Sequence, residues 1–142
     1  MKEHEMQHSL QLEEKVAKLI PNAEQYPVIK ALDQPIVVSF ALPNGETPKV
    51  VVFCRSVKDF HKAGKKVEDT PEEFILRVVN DQARSIKALN PSINVIAVFS
   101  DYDEERLNTA AVEHIAKSLD FALINKEIKD LPELTSALLR RS

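Results

Sequence analysis

Three continuous apolar runs, at residues 50–53, 93–99 and 121–124, are separated from one another by segments with helical periodicity. A strand that is covered on both faces has such a continuous apolar run, and strands that are joined through a helix pair in parallel. This alternation predicts parallel β-α-β units with right-handed crossovers in the second half of the chain.

A second pattern lies just before them. Residues 36–40 and 50–53 are both rich in β-branched side chains, and the loop between them contains Asn44-Gly45. Asparagine and glycine tolerate positive φ, so this spacing predicts an antiparallel hairpin. A short strand at residues 28–32 is also expected. The sheet is therefore predicted to be mixed, with antiparallel and parallel pairs.

Helical spacing is found at residues 10–20, 71–89, 104–119 and 131–139. Thr70-Pro71 before Glu72-Glu73 is typical of a helix start, with threonine as N-cap and proline in the first turn. The expected apolar stripe of this helix is Ile75, Val78, Val79, Ile86 and Leu89, and Gln82 falls on it. We predict one α/β domain over residues 1–142 with helices on both faces of the sheet, preceded by a flexible segment at residues 1–9.

Composition excludes several classes of protein. The 142 residues include one cysteine, and the net charge is −3. A single cysteine excludes an internal disulfide and, with four scattered histidines, the usual structural zinc spacings. No apolar run approaches the roughly 18 residues of a membrane span. The polar start of the chain does not resemble a signal peptide, so a cytoplasmic location without membrane contact is expected.

The concentrated positive charge lies in the segment that follows the run at residues 50–53. Between residues 55 and 66, Asp59 is the single acid among five cations, which are Arg55, Lys58, Lys62, Lys65 and Lys66. Such a patch can bind phosphates, although a solvated lysine loop has the same pattern. Cys54 beside it has two interpretations, a reactive thiol or a small buried apolar residue.

Asp101 and Asp103 directly follow the run at residues 93–99. Two carboxylates at this spacing could hold Mg²⁺ through hard oxygen ligands. Acids at this position are equally typical of a helix start, where they cap the first turn and complement its dipole.

In element order, the chain resembles the restriction-endonuclease-like, or PD-(D/E)xK, nuclease fold. Asp33 lies where the family's aspartate would fall, Phe53-Cys54-Arg55 replaces its acid-x-lysine triplet, and Gln82 matches a glutamine frequent on its helix. In active members the two acids hold Mg²⁺ and the lysine helps to activate water. Phe53 offers no oxygen, and a guanidinium stays protonated. The resemblance therefore implies a degenerate, non-catalytic site without a cofactor, and a domain that binds nucleic acid or a protein.

Two alternatives remain open. The segment from about residue 49 to the end also resembles a Toprim domain, which would imply Mg²⁺-dependent phosphodiester chemistry at Asp101 and Asp103. The chain could also be a small protein-interaction or immunity-type protein. An exposed edge of the predicted hairpin could pair with a second copy, so a homo-oligomer is possible.

Overall fold

The structure is a computed structural model that describes residues 7–61, 70–106 and 109–141. The helices are α1 (Gln7–Leu19), α2 (Val57–His61), α3 (Pro71–Leu89), α4 (Thr109–Ile115) and α5 (Leu131–Arg140), with a 3-10 helix at Asn125–Asp130. The strands are β1 (Glu24–Gln25), β2 (Val28–Ile29), β3 (Ile36–Val37), β4 (Phe40–Leu42), β5 (Val50–Ser56), β6 (Asn94–Ser100) and β7 (Phe121–Ile124).

A five-stranded mixed sheet in the order β1-β4-β5-β6-β7 forms the centre of the molecule. The pairs β1–β4 and β4–β5 are antiparallel, whereas β5–β6 and β6–β7 are parallel. The β5–β6 register runs from Val50 opposite Asn94 to Ser56 opposite Ser100. The predicted fold class, an α/β domain with a mixed sheet, is confirmed.

Successive side chains of β5 point to opposite faces of the sheet, and each face buries its own cluster. On one face, Val51 and Phe53 pack in a core with residues of α3 and α4. On the other, Val50, Val52 and Cys54 pack with residues of α1 and α5. The two sides of β5 are called below the α3 face and the α1 face. Both are covered, which accounts for the continuous apolar run.

The predicted hairpin differs in its first strand. Ile36–Val37 pairs with Val28–Ile29 in a separate two-stranded sheet, and Phe40–Leu42 pairs with β5. The chain changes partner at Val38 and Ser39, whose backbone groups bond to Pro27 and Tyr26. The β-branched run was long enough for one strand, but these contacts divide it between two sheets.

The predicted start of α3 is confirmed, because the Thr70 hydroxyl accepts a hydrogen bond from the amide of Glu73 at 3.2 Å. The buried stripe differs at its ends: Leu89, predicted to face the core, is 49% exposed. Its fully buried apolar members are Ile75, Leu76, Val79, Ala83 and Ile86.

Two other boundaries differ from prediction. The first helix begins at Gln7, so residues 7–9, expected to be flexible, are helical and Ser9 is buried. The helix expected over residues 104–119 extends only over Thr109–Ile115. A turn precedes it, in which the amide of Arg106 bonds to the carbonyl of Asp103. Leu107 lies outside the described residues. Among the described helices, none has both the length and the apolar character of a membrane span.

Candidate functional site

The carboxyl ends of β5 and β6 bring together polar side chains that the sequence places far apart. Asp101 follows β6 with φ of +59°, a left-handed conformation that is uncommon for a residue with a side chain. Its Oδ2 accepts hydrogen bonds from the hydroxyls of Ser56 at 2.7 Å and Ser100 at 3.2 Å. The carboxyl ends of parallel strands are also where open α/β sheets usually bind ligands.

The charge of Asp101 is stabilised by its neighbours. Lys58 Nζ lies 3.6 Å from its Oδ1. Partial burial acts to raise the pKa of Asp101, but the hydroxyl of Ser56, the charge of Lys58 and the hydroxyl of Ser100 together lower it below its ordinary value. The group is therefore an ionised carboxylate whose oxygens already have partners.

Glu72 lies beside this cluster at the start of α3 and is almost fully buried. Its Oε2 accepts a hydrogen bond from the amide of Asp103 at 3.0 Å. Its Oε1 lies 3.5 Å from the guanidinium of Arg106, an ion-pair distance without hydrogen-bond geometry. One oxygen of the buried carboxylate is thus hydrogen-bonded, and the charge is only weakly compensated by Arg106 at the other oxygen.

A cavity of about 330 Å³ opens at this edge of the sheet, and we call it the carboxyl-edge cavity. It is lined by His8, Val57, Lys58, Glu72, Asp101, Asp103 and Arg106. Its acids and bases are mixed, so the cavity has neither a strongly positive nor a strongly negative character.

Asp101 and Asp103 were the predicted magnesium ligands. Asp103 Oδ1 accepts the amide of Glu105 at 3.0 Å, and its Oδ2 lies 3.3 Å from Nε of Arg106. Each acid is therefore engaged by groups of the protein itself. Among the described residues, no group of three or more histidine, cysteine, aspartate or glutamate side chains could hold a metal ion.

Asp59, the single acid of the basic segment, points inward. It is 2% exposed and accepts hydrogen bonds from the amides of His8 at 3.0 Å and Ser9 at 2.7 Å, so it caps the start of α1. The hydroxyl of Ser9 in turn accepts the amide of Ser56 at 2.9 Å. Lys58, which precedes Asp59 in α2, points outward, with 60% of its side chain exposed. The predicted contacts Lys62, Lys65 and Lys66 lie outside the described residues.

The β5 residues of the suspected nuclease site are apolar or turned onto one another. Phe53 is fully buried on the α3 face, and the guanidinium of Arg55 lies over its ring at 5.7 Å. Arg55 also donates to the carbonyl of Cys54 at 2.9 Å. Burial lowers the pKa of Arg55, which the nearby Cys54 and Glu13 oppose.

Asp33 and Gln82 are not joined to them. Asp33 lies in the exposed loop between β2 and β3, where the preceding Leu32 donates to the hydroxyl of Ser85, near the end of α3, at 2.9 Å. Within the described residues, Asp33 and Arg55 form no ion pair. The Oε1 of Gln82 is buried and has no hydrogen-bond partner among the described residues. Phe53 and Arg55 thus lie together on β5, and no hydrogen bond or ion pair among the described residues joins Asp33 or Gln82 to Arg55.

A polar network that the sequence did not reveal lies on the α1 face. Glu13 accepts hydrogen bonds from the hydroxyls of Tyr26 at 2.6 Å and Ser39 at 2.8 Å. Ser39 in turn accepts the amide of Cys54 at 3.2 Å. Burial and the charge of Glu13 raise the pKa of the Cys54 thiol, so it stays protonated and unreactive. The sequence signal available for Glu13 was its position directly after Leu12, a residue of the buried stripe of α1.

Comparisons with models of protein families, with curated proteins and with solved structures found no match to this chain.

Proposed function

We propose that this chain is a non-catalytic α/β domain that binds nucleic acid through the basic segment at residues 55–66. The inward turn of Asp59 is the observation that carries the proposal. Because Asp59 caps α1, the charged side chains that remain in the segment are all basic, and Lys58 among them is 60% exposed. Basic side chains attract phosphates irrespective of base sequence.

The contacts of β5 support the non-catalytic part of the proposal. The order of helix, antiparallel strands and a β5-α3-β6 unit is compatible with a restriction-endonuclease-like fold. In that fold, catalysis needs carboxylates on the strand that β5 would represent. Phe53 and Arg55 have no carboxylate, and Cys54 is a buried, protonated thiol.

The alternative, Mg²⁺-dependent chemistry of the Toprim type, receives less support from the geometry. A metal ion at Asp101 and Asp103 would have to displace Ser56, Lys58 and Arg106 from the two carboxylates. Nuclease and primase assays with Mg²⁺ or Mn²⁺ test it directly. Activity that Asp103→Ala abolishes would establish the alternative and contradict the non-catalytic proposal.

Binding to a short duplex and to single strands, measured by fluorescence anisotropy over a range of salt concentrations, tests the proposal. We expect affinity to fall with salt, with a slope of about one unit of log Kd per log salt for each phosphate contact. The variant Lys58→Glu with Lys62→Glu, Lys65→Glu and Lys66→Glu should abolish binding at moderate salt. Its control makes the same number of charge reversals at exposed lysines outside the basic segment: Lys15→Glu, Lys18→Glu, Lys30→Glu and Lys117→Glu.

Equal losses in both variants would mean that net charge alone was responsible. No binding by the unaltered chain, even at low salt, would also contradict the proposal.

A protein partner is the second candidate, and it rests on a different surface. Val28 and Val37 face each other across the small sheet and are 65% and 55% exposed, and Leu32 nearby is 62% exposed. Clustered exposed apolar side chains are typical of interaction sites. Self-association is the form that can be measured without knowing a partner: sedimentation equilibrium should show a dimer that Val37→Lys dissociates. A monomer at high concentration would exclude it.

A further inference from the structure

We propose that a second cavity, between α4 and β7, binds a small amphiphilic organic amine, with its apolar body inside and its ammonium group at the rim. This β7 cavity encloses about 430 Å³, a volume within the usual range for small-molecule sites. It is separate from the basic segment, and the inference does not rest on nucleic-acid binding.

The floor of the β7 cavity is apolar. It is formed by Val112, Ala116, Leu119, Phe121, Ala122 and Ile124. Phe121 is 36% exposed although it begins a strand of the central sheet, so an aromatic surface is open to solvent here. An alkyl or aryl group that covers this floor removes apolar surface from water.

The rim is acidic. Glu104, Glu113 and Glu127 line the cavity and are exposed, and no lysine or arginine does so among the described residues. Asp120 also lines it, but its charge is paired with Lys87, whose Nζ lies 2.6 Å from its Oδ2.

One oxygen of Glu104 accepts from the side-chain amide of Asn125 at 3.3 Å, and one oxygen of Glu127 accepts from the amide of Ile124 at 3.0 Å. Both of these donors are neutral, so they leave the two negative charges in place. Three carboxylates therefore contribute negative charge, which favours a cationic ligand and disfavours an anionic one.

An unpartnered hydroxyl in the wall provides independent support. Tyr102 lines the cavity and is 4% exposed, yet its hydroxyl has no hydrogen-bond partner among the described residues. Its backbone is fixed by Asn125, which accepts from its amide at 3.0 Å and donates to its carbonyl at 2.6 Å. Buried polar groups normally have a partner, so an unpartnered hydroxyl in a residue of the cavity wall is a reason to look for a ligand there.

The charge and the apolar floor together define the ligand class. A neutral molecule of the same shape would bury apolar surface on the floor but would not be attracted by the carboxylates. A small inorganic cation would be attracted by the carboxylates but would bury no apolar surface. A primary amine on a short aryl-alkyl chain satisfies both.

The test uses the full chain and three matched probes: 3-phenylpropylamine, 3-phenylpropanol and 3-phenylpropanoate. Amide chemical shifts are followed by two-dimensional NMR. We expect the amine to shift residues of the β7 cavity and to bind about thirtyfold more tightly than the alcohol, from about threefold for each of the three exposed carboxylates. The anion should bind most weakly.

Two double variants test whether the charge of the rim carboxylates controls the binding of the amine. The double variant Glu104→Gln with Glu113→Gln should reduce the affinity for the amine about tenfold and leave that for the alcohol unchanged. The control, Glu14→Gln with Glu133→Gln, neutralises exposed acids that do not line the cavity, and it should have no effect. Equal binding of all three probes, or shifts confined to residues elsewhere, would overturn the proposal. So would an absence of shifts at millimolar amine.

Discussion

The two faces of β5 treat their buried polar groups differently. On the α1 face, Ser39 joins Glu13 to the amide of Cys54, and the acid that caps α1, Asp59, receives two amides. On the α3 face and its margins, three buried polar atoms of the described residues lack a hydrogen-bond partner: Glu72 Oε1, Gln82 Oε1 and the Tyr102 hydroxyl.

This difference shows on which face the buried polar groups are hydrogen-bonded within the protein and on which face some of them lack a hydrogen-bond partner. The α1 face uses its polar groups to fix the first helix against β4 and β5. On the α3 face, two of the three residues with such an atom line cavities: Glu72, whose Oε1 lies 3.5 Å from Arg106, in the carboxyl-edge cavity, and Tyr102 in the β7 cavity. A buried polar group without a partner costs free energy, so its presence beside a cavity is a reason to look for a ligand.

The largest effect is expected from Phe53→Ala, which removes a fully buried side chain from the centre of the α3 face. We expect the free energy of unfolding to fall by about 3–5 kcal/mol, because transfer energy is lost and a cavity remains. Urea unfolding followed by circular dichroism measures it. Val37→Ala, in an exposed strand, is the matched control and should change stability by less than about 0.5 kcal/mol. A small loss for Phe53→Ala would show that the α3 face is loosely packed.

Asp59→Ala tests the closure of the α1 side. It removes the acceptor of two amides at the start of α1, and we expect a loss of about 2 kcal/mol. Hydrogen exchange should accelerate at the amides of His8 and Ser9, and Asp59→Asn should restore part of the protection. Asp33→Ala, in an exposed loop, is the control. Unchanged exchange at both amides would refute the assignment of Asp59 as the cap.

Ser39→Ala removes the link between Glu13 and β5. The amide of Cys54 is then left buried without an acceptor, so we expect a loss of about 1–2 kcal/mol. Ser136→Ala, on the exposed side of α5, serves as the control in the same unfolding assay. If the two variants lose equally little, the network on the α1 face contributes no more than a surface serine.

Tyr102→Phe should act in the opposite direction. Because the hydroxyl is buried without a partner among the described residues, its removal should leave stability unchanged or raise it by up to about 1 kcal/mol. A loss of stability would mean that the hydroxyl has a partner, and the contrast between the two faces would disappear.

The smallest effect concerns titration of Tyr26. Its hydrogen bond to Glu13, with desolvation and the charge of Glu13, raises the pKa of Tyr26 from 10.0 to about 12. The folded state favours the neutral phenol, so this contribution to stability is complete below pH 10.0 and is lost as pH rises towards 12. Ultraviolet titration measures it, in a Tyr102→Phe background to remove the other tyrosine. Glu13→Gln should lower the pKa, and an unchanged value would exclude the bond.

The regular elements were largely predictable because their signals are local. The cap at Thr70 and the apolar run at residues 94–99 depend on neighbours within one or two turns or on the composition of a single strand. The parallel pairing of β5 with β6 followed from the helix between them. The division of residues 36–40 between two sheets did not, because both halves have the same β-branched composition.

The candidate sites were less predictable because side-chain direction depends on packing. Asp59 looked like a surface charge that interrupts a basic segment, and the structure turns it inward. No role was predicted for Glu13, whose partners Tyr26 and Ser39 lie in other parts of the chain. Conversely, nothing in the pattern of Glu104, Glu113 and Glu127 indicated that they surround one apolar floor.

The sequence by itself determined the alternation of strands and helices, the mixed character of the sheet and the lack of a carboxylate at residues 53–55. Periodicity, capping and residue chemistry act over a few positions, so they can be derived from the chain alone. The tertiary structure alone decided which charged side chains form contacts within the protein. Asp59 meets His8 across 51 positions of the chain, and Asp101 meets Ser56 across 45. Such contacts form only once the strands are aligned, because no local rule relates the two partners.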